Sequence, residues 1–125
     1  MDRNDADYLR CRRLLTESVE RLIVPAPVLV EVDYLVRQRL HSGVMLRLLD
    51  SILDGGILIE PLQAVDYERI RGLIERYADS DIGFVDAAVL AVVERLGEPK
   101  LATLDRRHFG LLRPRHVDAL QLLPD

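Results

Sequence analysis

Residues 22–40, LIVPAPVLVEVDYLVRQRL, contain the pattern that decides the fold class. The first three residues are apolar and precede Pro25, as expected of a short buried strand. Pro27 then fits the first turn of a helix that runs to about Leu40, because the amide hydrogen that proline lacks is not needed there. A buried strand followed at once by a helix is the unit from which parallel α/β sheets are built.

The same alternation continues along the chain. Further strands are predicted at 57–60, 101–104 and 119–122, and further helices at 5–20, 43–54, 64–77 and 82–96. None of the strand segments alternates in polarity, which favours a mainly parallel sheet covered by helices on both faces. We therefore predict an α/β fold, arranged as a three-layer α/β/α sandwich.

Length and composition narrow the class of protein. With 125 residues, 49% of them hydrophobic and 30% charged, the chain is expected to form one folded domain over residues 1–125. It contains neither an apolar run of the roughly 18 residues that cross a bilayer nor a signal peptide, so a cytoplasmic protein without a membrane partner is predicted. One cysteine, Cys11, cannot close an internal disulfide.

The net charge of −4 argues against nucleic-acid binding by the whole surface, so any such contact must be local. Residues 106–116, RRHFGLLRPRH, form the densest basic stretch and contain no acid. Its four arginines are candidates for phosphate contacts; the alternative is that they are ordinary solvated surface residues. They are Arg106, Arg107, Arg113 and Arg115.

Asp86 is the most informative acid. On a helical wheel of about 100° per residue, Asp86 falls between Val93 and Leu90 on the apolar side of its predicted helix. An ionised carboxylate on a core-facing side costs several kcal/mol unless it is paired, hydrogen-bonded or bound to a metal. Asp86 is therefore either a metal ligand or a buried acid satisfied by an arginine or by backbone N–H groups.

Two further acids occupy informative positions. Glu31 lies at the edge of the apolar face of the 27–40 helix, and Asp105 follows the strand LATL directly. In parallel sheets, ligands collect at the carboxyl ends of strands. Each could instead be structural, Glu31 as a solvated boundary residue and Asp105 as a helix cap. If these two acids and Asp86 converge, bound Mg²⁺ or Mn²⁺ would relieve their repulsion and support phosphodiester hydrolysis.

Three blocks of sequence resemble PIN-domain proteins, specifically the VapC-type toxins of type II toxin-antitoxin systems. They are VPAPVLVEVDYLV with Glu31, DIGFVDAAVLA with Asp86 and LATLDRRHF with Asp105. The resemblance extends over almost the whole chain. It implies a PIN-like sandwich and an Mg²⁺- or Mn²⁺-dependent endoribonuclease, with Glu31, Asp86 and Asp105 as metal ligands and catalytic residues. It also implies a VapB-like antitoxin, an RNA substrate and a homodimer.

The sequence departs from the family at its start. Family members usually begin with a central strand that ends in Asp-Thr or Asp-Ser and supplies the first acid of the metal site. Met1 and Asp2 align just beyond that strand, so we expect the strand and its acid to be missing and folding to be weakened. Three acids lie at the start of the predicted 5–20 helix and are expected to cap it. They are Asp2, Asp5 and Asp7.

Two other functions compete with cleavage of RNA. A catalytically silent PIN relative would bind an antitoxin or RNA without cutting it, as the absent first acid would allow. A phosphorelay receiver domain has a similar length but needs a lysine at the end of a late strand. The only lysine, Lys100, precedes its predicted strand, which disfavours a receiver.

Overall fold

The computed structural model describes residues 22–39, 43–98, 100–102, 112–117 and 121–123. The chain divides into two compact units: Arg21–Val92, called here the central unit, and Met1–Glu20 with Val93–Asp125, called here the terminal unit. The predicted 5–20 helix and its acids lie outside the described residues. The single domain and the missing first strand therefore stay predictions.

The central unit is built on two parallel strands. Strand β1, Leu22–Pro25, pairs in register with β2, Ile57–Glu60, so that Leu22 lies opposite Ile57 and Pro25 opposite Glu60. The Ala26 N–H donates to the Glu60 carbonyl at 2.9 Å, which continues the ladder one residue beyond β1. Two helices connect the strands: α1, Val28–Arg39, and α2, Gly43–Leu53.

Helix α2 ends at a left-handed glycine. Gly55 has φ 87°, a conformation that side chains other than glycine rarely adopt. Its N–H donates to the Ile52 carbonyl at 3.2 Å, and the Gly56 N–H donates to the Ser51 carbonyl at 2.9 Å. These bonds satisfy carbonyls that the last turn of a helix otherwise leaves without a donor, which explains why the helix stops here.

One face of the β1–β2 pair is more exposed than the sequence predicts. Ile23 and Leu58 are neighbours in register, and they are 46% and 39% exposed. Helix α1 packs against β1, and α2 packs against β2. Ile23 and Leu58 are only partly covered, which differs from the predicted burial of the strands.

Two more helices follow: α3, Ala64–Arg76, and, after a 3₁₀ turn at Ala78–Ser80, α4, Phe84–Leu96. The prediction of a single apolar arc on α4 is wrong, because every residue from Ala87 to Val93 is at most 7% exposed. A helix that is apolar on all sides belongs in a core. No helix in the described part of the chain has the length and apolar character needed to span a bilayer.

The terminal unit contains the end of α4 and two short strands. Strand β3, Lys100–Ala102, pairs in parallel with β4, Gln121–Leu123, and Leu101 lies opposite Leu122. All four predicted strands and the four predicted helices between 27 and 96 are found. Every end that falls within the described residues lies within two residues of its predicted position.

Candidate active site

Glu31 is carried by the first turn of α1. Two bonds start this turn: the Leu29 N–H donates to the Ala26 carbonyl at 3.2 Å, and the Val30 N–H donates to the Pro27 carbonyl at 3.3 Å. Pro27 thus lies just before the helix and contributes an acceptor, as the predicted start requires. The Glu31 side chain is exposed, and it projects from the helix that begins at the carboxyl end of β1. Glu31 can therefore reach a solute at this edge.

Asp86 is the third residue of α4. The helix begins after Gly83, whose carbonyl accepts the Ala87 N–H at 3.1 Å. Asp86 is half-buried, and Ala87, Ala88 and Leu90 just beyond it are fully buried. The first turn of a helix carries partial positive charge, which favours a carboxylate there. Asp86 therefore lies at the partly exposed start of a helix, and the burial of the next residues holds its backbone in place.

The structure places the other predicted site residues only in part. Glu31 and Asp86 belong to the central unit, whereas Asp105, Arg106 and Arg107 lie outside the described residues. Among the residues that the structure describes, no three His, Cys, Asp or Glu side chains are grouped to hold a metal ion. The three-acid set includes Asp105, so it stays a prediction. Its donors are all carboxylate oxygens, which suit Mg²⁺ or Mn²⁺.

The remaining predicted RNA contacts, Arg113 and Arg115, lie in the terminal unit, and both are exposed. The backbone of Arg115 is held by Glu94, whose Oε2 accepts the Arg115 N–H at 2.7 Å. The neighbouring residue Leu112 is only 2% exposed. This stretch therefore combines a fixed backbone with arginine side chains that face solvent.

The structure adds two acids that the sequence argument missed. Glu60 ends β2 opposite Pro25, at the sheet edge from which α1 begins. The signal for Glu60 was present, because it is the last residue of an apolar strand, a position close to that of Asp105 after its strand. Asp66 is 1% exposed and accepts the Gln63 N–H at 2.8 Å, so it serves the start of α3. Its burial could not be predicted locally, because it depends on packing with distant residues.

An exposed aromatic residue two positions before Asp86 was also missed. Phe84 is the first residue of α4 and is 45% exposed, although aromatic side chains are usually well buried. It lies in the same helical turn as the candidate catalytic acid. The sequence signal was ambiguous, because a phenylalanine at the start of an apolar helix is equally typical of a core residue.

Comparison with known proteins identifies the family. Residues 1–112 match the PIN domain, and the chain therefore belongs to the PIN-domain family. The predicted fold class, a PIN-like α/β sandwich with parallel strands, is confirmed. Within this family the chain is of the VapC type. It is 31% identical over 113 residues to Ribonuclease VapC26 from Mycobacterium tuberculosis (strain ATCC 25618 / H37Rv), and the match covers 90% of this chain and 84% of that protein.

Proposed function

We propose that this chain is a metal-dependent endoribonuclease, the toxin of a VapBC-type toxin-antitoxin pair, and that it hydrolyses RNA phosphodiester bonds. The observation that supports this most directly is the position of Asp86, half-buried at the start of a helix whose next seven residues are all buried. Its backbone is thereby held in place, as a metal ligand requires. The 31% identity to a ribonuclease supports the same reaction.

Three carboxylates would hold the Mg²⁺ or Mn²⁺ ion: Glu31, Asp86 and Asp105. When bound, such an ion activates water for attack on phosphorus and stabilises the leaving oxygen. Asp86 would supply a ligand from a rigid helix start, and its partial burial reduces competition from bulk water. Glu31 is exposed and has the longer side chain, so it can adjust to the bound ion and the RNA together.

RNA would be held by local features of a chain that is acidic overall. Arg113 and Arg115 are exposed and belong to the basic stretch that also contains Arg106 and Arg107, so they are suited to phosphate contacts. Phe84 offers an exposed aromatic ring in the same turn as Asp86. Unpaired RNA bases stack on such rings, which favours a single-stranded loop over a duplex as the substrate.

The test is cleavage of a labelled single-stranded RNA in Mg²⁺ or Mn²⁺ by wild type and by Asp86→Asn. We expect the substitution to reduce cleavage about 100-fold or more, because the amide keeps the shape of the side chain but loses its charge. Asp79→Asn is the matched control, since Asp79 is an exposed acid outside the proposed site and should retain full activity. Circular dichroism checks that both variants fold.

Three outcomes would contradict parts of this proposal. Cleavage that survives Asp86→Asn unchanged would exclude the proposed role of Asp86. Cleavage that resists EDTA would exclude the metal. No cleavage by wild type in either metal, with RNA binding retained, would favour the catalytically silent relative.

The VapC type implies a VapB-like antitoxin as a partner.

We propose in addition that this chain forms a homodimer through α2. Three leucines lie along one side of this helix at a spacing of three and four residues. The exposed fractions are 64% for Leu46, 40% for Leu49 and 84% for Leu53. Arg47 and Asp50, both exposed, lie on the same helix. In a two-fold pairing, Arg47 of each copy can face Asp50 of the other, so the surface is self-complementary.

A further inference from the structure

The 112–117 segment is attached to the C-terminal end of α4 by two polar contacts within the terminal unit. The Arg115 backbone N–H donates to Glu94 Oε2 at 2.7 Å, and His116 Nε2 lies 2.6 Å from the Glu98 carbonyl oxygen. Leu112, at the start of the segment, is 2% exposed. The segment is therefore held by two polar contacts, and its first residue is buried.

The His116 contact has a defined direction. A carbonyl oxygen can only accept, so the proton must lie on Nε2 and the imidazole donates. The other ring nitrogen, Nδ1, is buried and has no hydrogen-bond partner within the described part of the chain. The ring is thus packed against the protein, and it fixes the backbone beside Arg115.

The Glu94 contact is made with the backbone of Arg115, and the Arg115 side chain is exposed. A carboxylate that accepts a main-chain N–H forms a charge-assisted bond, which is stronger than a bond between neutral groups. The two residues are 21 positions apart in the sequence. Glu94 therefore fixes the backbone of Arg115 and leaves the arginine side chain exposed to solvent.

We propose that Glu94 and His116 are positioning residues for RNA: they hold the backbone of the 112–117 segment so that the Arg115 guanidinium is presented to a phosphate. This rests on the proposed function, in which Arg115 contacts RNA. Binding costs entropy for every group that becomes ordered, and a backbone that is already ordered reduces that cost. An acid and a histidine would thus strengthen the binding of a polyanion.

The sign of the Glu94 effect separates this role from simple electrostatics. Removing a carboxylate near RNA removes repulsion, so on charge alone both Glu94→Ala and Glu94→Gln should bind RNA more tightly. A positioning role gives the opposite result for alanine. Glutamine keeps an oxygen that can accept the Arg115 N–H, so only Glu94→Ala should bind RNA more weakly.

The experiment measures the dissociation constant of a fluorescent single-stranded RNA at several salt concentrations. We expect Arg115→Ala and Glu94→Ala each to weaken binding about tenfold, as for loss of one hydrogen bond to a charged group. Both should lower the salt slope by about 0.7, the value for one phosphate contact in a single strand. Glu94→Gln should match wild type. The double variant should be no weaker than Arg115→Ala alone, because Glu94 acts through Arg115.

His116 provides an independent variant. His116→Ala should weaken RNA binding in the same direction, and His116→Gln, whose amide can still donate to the Glu98 carbonyl, should restore it. In cleavage assays we expect these changes in KM with kcat unchanged, which general unfolding would not produce. Thermal melting of each variant identifies any that fail to fold.

Each outcome is decisive. Tighter or unchanged binding by Glu94→Ala, or additive losses in the double variant, would overturn the positioning role while leaving the ribonuclease proposal intact. Unchanged binding by Arg115→Ala would overturn it as well, by removing the RNA contact on which it depends. Failure of the ribonuclease proposal itself would be seen separately, as RNA that the wild type binds but does not cleave in Mg²⁺ or Mn²⁺.

Discussion

Asp66 and Asp86 are each the third residue of a helix, and the structure places them in different surroundings. Asp66 is 1% exposed and is held at the start of α3, where it accepts the Gln63 N–H at 2.8 Å while its own N–H donates to the Gln63 carbonyl at 2.9 Å. Asp86 is half-buried, two positions after an exposed phenylalanine. Burial of an acid is therefore no functional signal by itself, because a helix start can account for it.

Replacing Asp66 tests its structural role. We expect Asp66→Ala to lower the free energy of unfolding by about 1 kcal/mol, because the part-buried bond from the Gln63 N–H at the start of α3 is lost. Urea denaturation followed by circular dichroism measures the change. Asp79→Ala, at an exposed acid in the 3₁₀ turn, is the control and should leave stability almost unchanged. Equal effects of the two substitutions would show that the Asp66 bond does not stabilise the helix.

At the scale of elements, α4 is the core helix of the described chain. Its residues 87–93 are all buried, although the sequence pattern predicts a helix with one apolar side. The difference arises because alanines make up much of the remaining circumference, and alanine is compatible with either a core or a surface position. Ala87, Ala88 and Ala91 are at most 3% exposed. Leu96, by contrast, is 41% exposed at the end of the helix.

Two leucines on α4 should respond differently to truncation. Leu90 is fully buried, so Leu90→Ala should lower the free energy of unfolding by about 2 to 5 kcal/mol through lost contacts and a residual cavity. Leu96→Ala removes the same atoms from an exposed position and should cost less than about 1 kcal/mol. Chemical denaturation of both variants gives the comparison. A cost at Leu96 equal to that at Leu90 would contradict the core position of α4.

At the scale of the whole molecule, the proposed homodimer rests on the exposed leucines of α2. A contiguous apolar stripe on a surface helix is typical of an interface, whereas scattered apolar residues are normal on any surface. The described helices carry other exposed apolar residues, such as Val65 on α3, but without a comparable run on one side. The stripe therefore supports α2 as the contact between two copies.

Charge on the stripe should separate the copies. We expect Leu46→Asp and Leu53→Asp each to convert a dimer to a monomer in sedimentation velocity, because the two-fold contact would bring like charges together. Val65→Asp, on the 56% exposed Val65 of α3, is the control and should leave the dimer intact. A wild-type protein that is monomeric at all concentrations would exclude the homodimer. Loss of VapB-like antitoxin binding by the stripe variants would then assign the stripe to that partner.

The sequence alone determined the class of fold, the order of its elements and the family. Proline and glycine at the element ends act through local backbone geometry, so Pro27 and Gly55 could be read without a structure. The three blocks around Glu31, Asp86 and Asp105 were enough to indicate a PIN-domain protein, which the family match over residues 1–112 confirms.

Only the tertiary structure decided which strands pair, which acids are buried and what holds the 112–117 segment. The parallel pairs β1–β2 and β3–β4, the burial of Asp66 and the bond from Arg115 to Glu94 all depend on residues far apart in the chain. Periodicity describes the sides of one helix or strand and carries no information about what packs against them. Burial and long-range hydrogen bonds also depend on the residue that lies against a given side chain, and only folding brings that residue there.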